Sequence, residues 1–429
     1  MDKDWRKLSL ADFYDVPDVD LFGRAEKFSA WVGTRRENEH LSYRRISTSG
    51  SAPVMRVVDP YSGEEREMIY LGSNDYLNLT RHPRTIAAGR AALDKYGAGA
   101  GSVPLLGGTL DLHVELEETL ARFKGCESAI IFTSGFGSNS GALMAMLGQH
   151  DCAILDLYVH ASIVDGCKNA KTEFFRHNDM RSLERVLVQT HGKYRTRLVI
   201  VDGVYSMDGD IAPLDKICEL AHAHGAYVMV DEAHATGVIG DHGRGTPEHF
   251  HIEGKVDIVA GTMSKALGGV GGFIAARTEL IELLHYFSRS YMFSTAMPPQ
   301  VAGSVLEGLR VIEDEPELRE RLWANIRHFR DGVKTLGFNT GNAETAIFPL
   351  IIGDDWKVDE ICRRMQQANI YVNPVLYPAV SKRLSRLRIS LMATHTREHL
   401  DYTLNVLEDL GREFGVIGGG RNAAAVAGS

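Results

Sequence analysis

One lysine stands where an apolar run stops. Val256-Asp257-Ile258-Val259-Ala260 leads into Gly261-Thr262-Met263-Ser264-Lys265, and Ala266-Leu267-Gly268-Gly269 carries the chain away. An amine held among small residues has little room to snorkel into solvent, so this lysine is placed to react. A second apolar run, Ala226-Tyr227-Val228-Met229-Val230, ends in Asp231-Glu232-Ala233-His234. A carboxylate at the end of one buried strand and an amine at the end of another suit a single cofactor. Pyridoxal phosphate takes a lysine as its Schiff-base partner and a carboxylate against its ring nitrogen.

Other strand ends carry compatible chemistry. Thr133-Ser134-Gly135-Phe136-Gly137-Ser138-Asn139 follows the run Ala129-Ile130-Ile131-Phe132 and opens a helix. Free N–H groups and the positive end of the helix dipole favour a phosphate there; the plainer reading is a helix cap by Ser134 or Ser138. An unpaired Asp231 in apolar surroundings is costly, and a pyridinium would satisfy it, as would a cap on the next helix. His234 is placed to reach the cofactor's phenolic oxygen. Ser206, in Tyr205-Ser206-Met207-Asp208-Gly209, is a candidate hydroxyl donor to the same oxygen, and His160, after Asp156-Leu157-Tyr158-Val159, is placed to stack on a planar ring. Lone histidines are more often structural than functional, so these two depend on their company. A metal site at Asp231, Glu232 and His234 lacks the His-Glu-x-x-His or paired-cysteine spacing that zinc uses. Gly97-Ala98-Gly99-Ala100-Gly101 has the look of a dinucleotide loop, but it follows a helical pattern and reads as a flexible, substrate-facing loop.

The elements that must hold these residues follow a regular order. From Leu112 onward, helices at 113–123 and 138–147 and others such as 214–224 are interleaved with short apolar runs. Those runs are 129–132, 153–155, 172–175, 198–201, 227–230, 258–260 and 272–275. Such alternation predicts an α/β fold whose mostly parallel sheet is covered on both faces, with ligands beyond the carboxyl ends of its strands. Beyond Phe293-Ser294-Thr295-Ala296-Met297-Pro298-Pro299 the texture changes. A long helical region at 301–336, strands at 347–352, 370–372 and 387–391, and helices at 358–368 and 396–414 predict a smaller α+β domain with an antiparallel sheet. The expected divisions are an N-terminal segment at 1–68 with a short helix at 22–28 and no independent core, a large domain at 69–300 entered by a short strand from Met68 that passes into a turn, a small domain at 301–417, and a disordered Gly/Ala-rich tail at 418–429. There is no internal repeat.

Bulk properties exclude several classes. With 44% apolar and 24% charged residues, the 429-residue chain has ordinary globular usage and length for two or three domains. A net charge of −9 argues against nucleic acid as a partner. Cys126, Cys152, Cys167, Cys218 and Cys362 are odd in number and scattered, which reads as reduced thiols in a cytoplasmic protein. No apolar run approaches transmembrane length, and Met1-Asp2-Lys3-Asp4-Trp5-Arg6 is too polar for a signal peptide.

Taken together the motifs resemble the α-oxoamine synthases, a branch of the fold-type-I pyridoxal-phosphate transferases. They run in order from Leu71 to His399. Ser-Asn-Asp-Tyr-Leu stands at 73–77, Gly-Thr-Leu-Asp-Leu-His at 108–113, Ser-Gly-Phe at 134–136, and Ser-Met-Asp-Gly-Asp at 206–210. Asp-Glu-Ala-His-Ala-Thr-Gly follows at 231–237, Gly-Thr-Met-Ser-Lys at 261–265, and Arg-Ile-Ser-Leu-Met-Ala-Thr-His-Thr at 388–396. The resemblance implies a large domain built on a seven-stranded sheet, and a homodimer with shared active sites. It implies that Lys265 forms the Schiff base and then acts as general base, that Asp231 pairs with the pyridine nitrogen, and that His160 stacks on the ring. It gives Ser206 and His234 the phenolic oxygen. The phosphate falls to Ser134, Gly135, Phe136 and Thr262, joined by Ser294 and Thr295 from a second subunit. Arg388 takes the amino-acid carboxylate, with Asn74 nearby.

The implied reaction joins an amino acid to an acyl thioester, on coenzyme A or a carrier protein, with loss of CO2. Pro104 stands where the family usually has an arginine, in Ser102-Val103-Pro104-Leu105-Leu106-Gly107, and the apolar loop suits a long acyl chain. Ser264 before the lysine resembles the serine palmitoyltransferases, so serine with a long-chain acyl-CoA is the leading pair. The alternatives are alanine or glycine with another acyl-CoA, as in 8-amino-7-oxononanoate synthase, glycine C-acetyltransferase and 5-aminolevulinate synthase. A non-catalytic subunit is disfavoured by the presence of Lys265, and an aminotransferase or lyase by the paired Asp231 and Lys265 motifs.

Overall fold

The computed structural model describes residues 4–418, so the expected tail beyond Gly418 lies outside the described residues. The chain divides into two units. One comprises Asn74–Trp323 with Glu344–Ala346; the other takes the residues up to Ser73, Ala324–Ala343 and those from Ile347 on.

The first unit is built on seven strands, β1 (Ser128–Phe132), β2 (Asp151–Asp156), β3 (Lys171–Phe175), β4 (Thr196–Asp202), β5 (Tyr227–Asp231), β6 (Ile258–Thr262) and β7 (Gly272–Ala276). They lie in the order β1-β7-β6-β5-β4-β2-β3. β7 runs antiparallel to both its neighbours, and every other pairing is parallel. Ile130, Ala153, Leu155, Leu198, Ile200, Met229, Ala260 and Ile274 pack in one core with Ala142 and Leu143 of the helix Gly135–Met146. The alternate residues Ile154, Val199, Val201, Val228 and Val230 are fully buried as well. Burial on both faces is why these strands read as continuous apolar runs rather than alternating ones. Parallel register sets Asp202 directly beside Asp231, and Asp231 beside Ala260, so the polar residues that follow the runs collect at one edge.

The long helix expected at 301–336 is two helices, Pro299–Asp314 and Pro316–Leu336. Pro316 has no N–H to continue the ladder and pushes Glu315 out of helical geometry, to φ −123 and ψ 64.

In the second unit Arg386–Ser390 is the central strand of an antiparallel three, flanked by Ile347–Ile351 and Asn373–Val375. Ile370-Tyr371, expected beside them, instead pairs in parallel with Glu65–Tyr70, whose other edge pairs with Val54–Val58. The N-terminal residues thus supply two strands of a separate sheet: Glu65–Tyr70, which contains the start of the strand expected from Met68, and Val54–Val58, which was not expected. Met55, Val57 and Met68 form its small core under Tyr70 and Tyr371. The helix expected at 22–28 runs Leu21–Glu37, its first turn capped by Asp20 accepting the N–H of Gly23 at 2.8 Å. No described helix is long and apolar enough to cross a membrane.

Candidate active site

A cavity of about 310 Å³ opens beyond the carboxyl ends of β1, β2, β4, β5 and β6. Nine of the residues singled out from sequence line it: Ser134, Gly135, Phe136, His160, Ser206, Asp231, His234, Thr262 and Lys265. Asn74 does not, and its Oδ1 lies 3.5 Å from the Tyr76 hydroxyl. Ser294 and Thr295 line a different cleft, with Pro104, His113 and Glu117. Burial pushes the Glu117 carboxyl up to about 7. Arg388 belongs to the second unit, where it is buried and donates to Ser390 Oγ at 3.0 Å. Arg386, two residues back, is buried too, with Nε donating to Leu384 O at 2.8 Å.

The helix after β1 begins with Ser134 Oγ accepting the N–H of Gly137 at 2.9 Å. Gly135 lets this turn close on β6: a Cβ there would stand 2.6 Å from Thr262 Oγ1. Thr262 is itself fixed, donating to Gly271 O at 2.9 Å. A helix N-terminus pressed against a hydroxyl-bearing strand end is a cradle for an anion.

Asp231, at the end of β5, is 4% exposed. Its Oδ2 accepts from Asn139 Nδ2 at 2.7 Å and its Oδ1 from the N–H of Ala233 at 2.9 Å. Asn139 also donates to Ser162 Oγ at 3.0 Å, and Ser162 is 2.7 Å from His160 Nδ1. One network therefore holds the carboxylate and orients the imidazole. Burial lowers the His160 pKa, keeping its ring neutral and flat-sided, with Phe136 edge-on at 6.3 Å. Asp202 is pushed well above the ordinary carboxylate range, first by burial and then by the charge of Asp231. At the end of the turn after β5, His234 Nδ1 meets the Tyr76 hydroxyl at 2.6 Å.

The intervening residue, Glu232, is fully buried. Its Oε2 is 3.6 Å from Lys124 Nζ and accepts the N–H of Thr246 at 2.9 Å. Lys124 also donates to Thr236 Oγ1 and to Arg244 O, both at 2.7 Å. This buried pair pins the turn that presents Asp231 and His234.

Asn139 was not foreseen as part of the site. It sits inside a helix, and its partner lies 92 positions away. Asn139→Ala should remove a hydrogen bond to a charged group, worth about 1.5–3 kcal/mol, and weaken cofactor retention or turnover roughly ten- to hundredfold. Dialysis followed by assay checks this. Unchanged values would make the Asn139–Asp231 contact incidental.

An anion cradle, a buried carboxylate, a neutral imidazole and a lysine amine around one cavity fit the phosphate, the ring nitrogen, the ring face and the aldehyde of pyridoxal phosphate. Comparison with known proteins points to the same cofactor. The family model for aminotransferase class I and II matches residues 66–407. The chain is 45% identical over 354 residues to 8-amino-7-oxononanoate synthase of Symbiobacterium thermophilum, spanning 82% of this chain and 90% of that protein. It is 40% identical over 385 residues to the Bacillus pumilus protein of the same name, spanning 89% and 96%. Among solved structures, serine palmitoyltransferase from S. paucimobilis, with a bound PLP–myriocin aldimine, matches with a TM-score of 0.87 at 34% identity, covering 93% of this chain and 100% of that one.

Proposed function

We propose, from the premise that this chain belongs to the pyridoxal-phosphate-dependent α-oxoamine synthases, that it condenses alanine with the thioester of a seven-carbon dicarboxylic acid. The product is 8-amino-7-oxononanoate, with release of CO2 and the free thiol. The observation that carries this choice is 40–45% identity to synthases of that name over 82–89% of the chain. The product's name states the substrates: C8 and C9 with the amine are alanine less its carboxylate, and C1–C7 are the acyl group. The C–COO⁻ bond of alanine breaks, a bond forms between its α-carbon and the acyl carbon, and the thiolate leaves.

Pyridoxal phosphate, when bound, supplies a protonated ring that takes up the electron pair left at the α-carbon. In this reading Ser134, Gly135, Phe136 and Thr262 hold the phosphate. Asp231, steadied by Asn139, faces the ring nitrogen and keeps it charged. His160 covers one ring face, and Ser206 and His234 hold the phenolic oxygen. Lys265 removes the α-proton to its Nζ and returns it at the end of the cycle. Arg388 and Asn74 take the amino-acid carboxylate. The enzyme is a homodimer in which Ser294 and Thr295 of a second copy complete the phosphate site. The five unpaired cysteines support a cytoplasmic setting.

A second reading, serine with a long-chain acyl thioester, is favoured by the loop at 102–107. Leu105 is 39% and Leu106 79% exposed, and the loop carries no cation to meet a distal carboxylate. A screen of alanine, serine and glycine against dicarboxylic and long-chain acyl-CoAs, following thiol release, separates the two. Preference for serine with the long chain would overturn the first reading.

Arg388→Lys tests the carboxylate assignment. A lysine cannot reproduce the bidentate fork, and the lost contact is worth about 1.5–3 kcal/mol. The dissociation constant for the amino acid, read from the change it induces in cofactor absorbance, should rise roughly ten- to hundredfold with cofactor content unchanged. Arg386→Lys should leave that constant alone. Equal affinity in the Arg388 variant would place the carboxylate site elsewhere.

A further inference from the structure

The second unit holds a cavity of about 450 Å³, larger than the one around Lys265 and sharing no lining residue with it. Its walls are aromatic. Tyr43, Trp356 and Tyr377 line it, respectively 46%, 36% and 38% exposed, and Trp31 lies deeper. Three rings, each more than a third exposed, line one concavity, which is more than scattered surface apolar residues.

Its polar groups are unevenly satisfied. Arg35 is 8% exposed, and its Nη2 donates to Asp359 Oδ2 at 2.7 Å, but its Nε and Nη1 donate to no described residue. The guanidinium has five N–H donors, so most of that capacity is not taken up by the described residues, although its Cζ also lies 5.2 Å from the Trp31 ring centroid. Asp359 is already met by Arg35, by His40 Nδ1 at 3.1 Å and by Ser42 Oγ at 2.9 Å. Asp354 caps its own helix by accepting the N–H of Lys357 at 2.9 Å, and Asp355 accepts from Ser385 Oγ. Every carboxylate in the lining is therefore engaged. Of the remaining cations, Arg6 leans on Asp4, while Lys7 and Lys382 form no ion pair with any described residue, and Lys382 stands 5.6 Å over the Tyr377 ring. The helix Asp355–Gln367 also starts here, adding the positive end of its dipole.

We propose that this cavity is a ligand site for an anion carried on a planar aromatic body, a mononucleotide or an aryl carboxylate. The charged group meets Arg35 with Lys382 or Lys7, and the ring lies among Trp356, Tyr377 and Tyr43. The volume lies in the range of small-molecule sites, and rings with a few convergent polar groups are the usual lining of such sites.

The chain has four tryptophans, and two of them, Trp31 and Trp356, line the cavity, so its own fluorescence reports binding. The holoenzyme is titrated with AMP, with adenosine and with indole-3-acetate. AMP or indole-3-acetate should quench saturably, and whichever binds tighter identifies the source of the anion. Adenosine should bind at least tenfold more weakly than AMP if AMP is the ligand. Arg35→Gln should weaken the bound anion roughly ten- to hundredfold. Because that variant also leaves Asp359 short of a partner, Lys382→Ala and Trp356→Leu serve beside it. The first should weaken the anion several-fold without altering adenosine, and the second should remove most of the quench. Absence of saturable quenching by both anions, or anion affinity untouched in the Lys382 and Trp356 variants, would overturn the proposal.

Discussion

Lys265→Ala should lose turnover by at least about a hundredfold and up to about ten-thousandfold, the range a positioned general base contributes. The loss should come without unfolding, because the Lys265 side chain is only half-buried and its truncation leaves no sealed void. The groups assigned to the phosphate and the ring nitrogen, Ser134, Gly135, Thr262 and Asp231, remain in place. The variant should therefore still retain cofactor while losing the visible band of a lysine-bound form, and added methylamine should restore part of the activity. Retention of both band and turnover would remove Lys265 from the chemistry. Loss of cofactor along with the band would mean that the lysine, rather than the cradle around Gly135, does the holding.

Lys124→Ala should destabilise the protein by about 3–5 kcal/mol, the effect of stranding one member of a buried ion pair. Glu232 would be left with the Thr246 N–H but without a cation. The direction with pH follows from the acid that remains. Burial already raises the Glu232 pKa, and removing Lys124 takes away the charge that opposes that rise. A carboxyl whose folded pKa lies above its unfolded value binds more protons when folded, so the deficit should shrink as pH falls and grow as pH rises. Urea midpoints at two pH values measure this. Lys124→Met combined with Glu232→Gln should recover most of the stability, since neither partner is then left charged. A deficit under about 1 kcal/mol at neutral pH would show that the turn after β5 does not depend on the pair.

The parts of this fold that could be read from the chain are those where one physical effect dominates. Strands buried on both faces leave continuous apolar runs, and β1, β2 and β4 through β7 are legible for that reason; β3, at the sheet edge and with only Phe175 buried, is marked instead by its short Phe174-Phe175 run. Residues after such runs face the ligand edge, which is why nine of those named from sequence share one cavity. Contacts made at long range leave no local mark. Asn139 and Tyr76 reach Asp231 and His234 across 92 and 158 positions, and nothing in their own neighbourhoods points to those partners. Val54–Val58 leaves no such mark because it buries few of its residues and carries Arg56 in a short run, and the strand expected from Met68 starts earlier, at Glu65, because Glu65-Arg66-Glu67 do not read as apolar. The break before Pro316 has a local signal in the proline itself, yet the apolar periodicity that continues on both sides of it reads as one helix.

The pairing of Glu65–Tyr70 with Ile370-Tyr371 has a consequence for how the protein is made. Ile69 meets Ile370, and Arg35 meets Asp359 at a separation of 324 positions. On a ribosome the first unit has all its residues once Ala346 has emerged, while the N-terminal strands must wait for the last part of the chain. Until then one edge of Glu65–Tyr70 is an unpaired template, the kind of surface on which nascent chains associate with one another. The Arg and Glu residues along those strands are what keeps that waiting edge in solution.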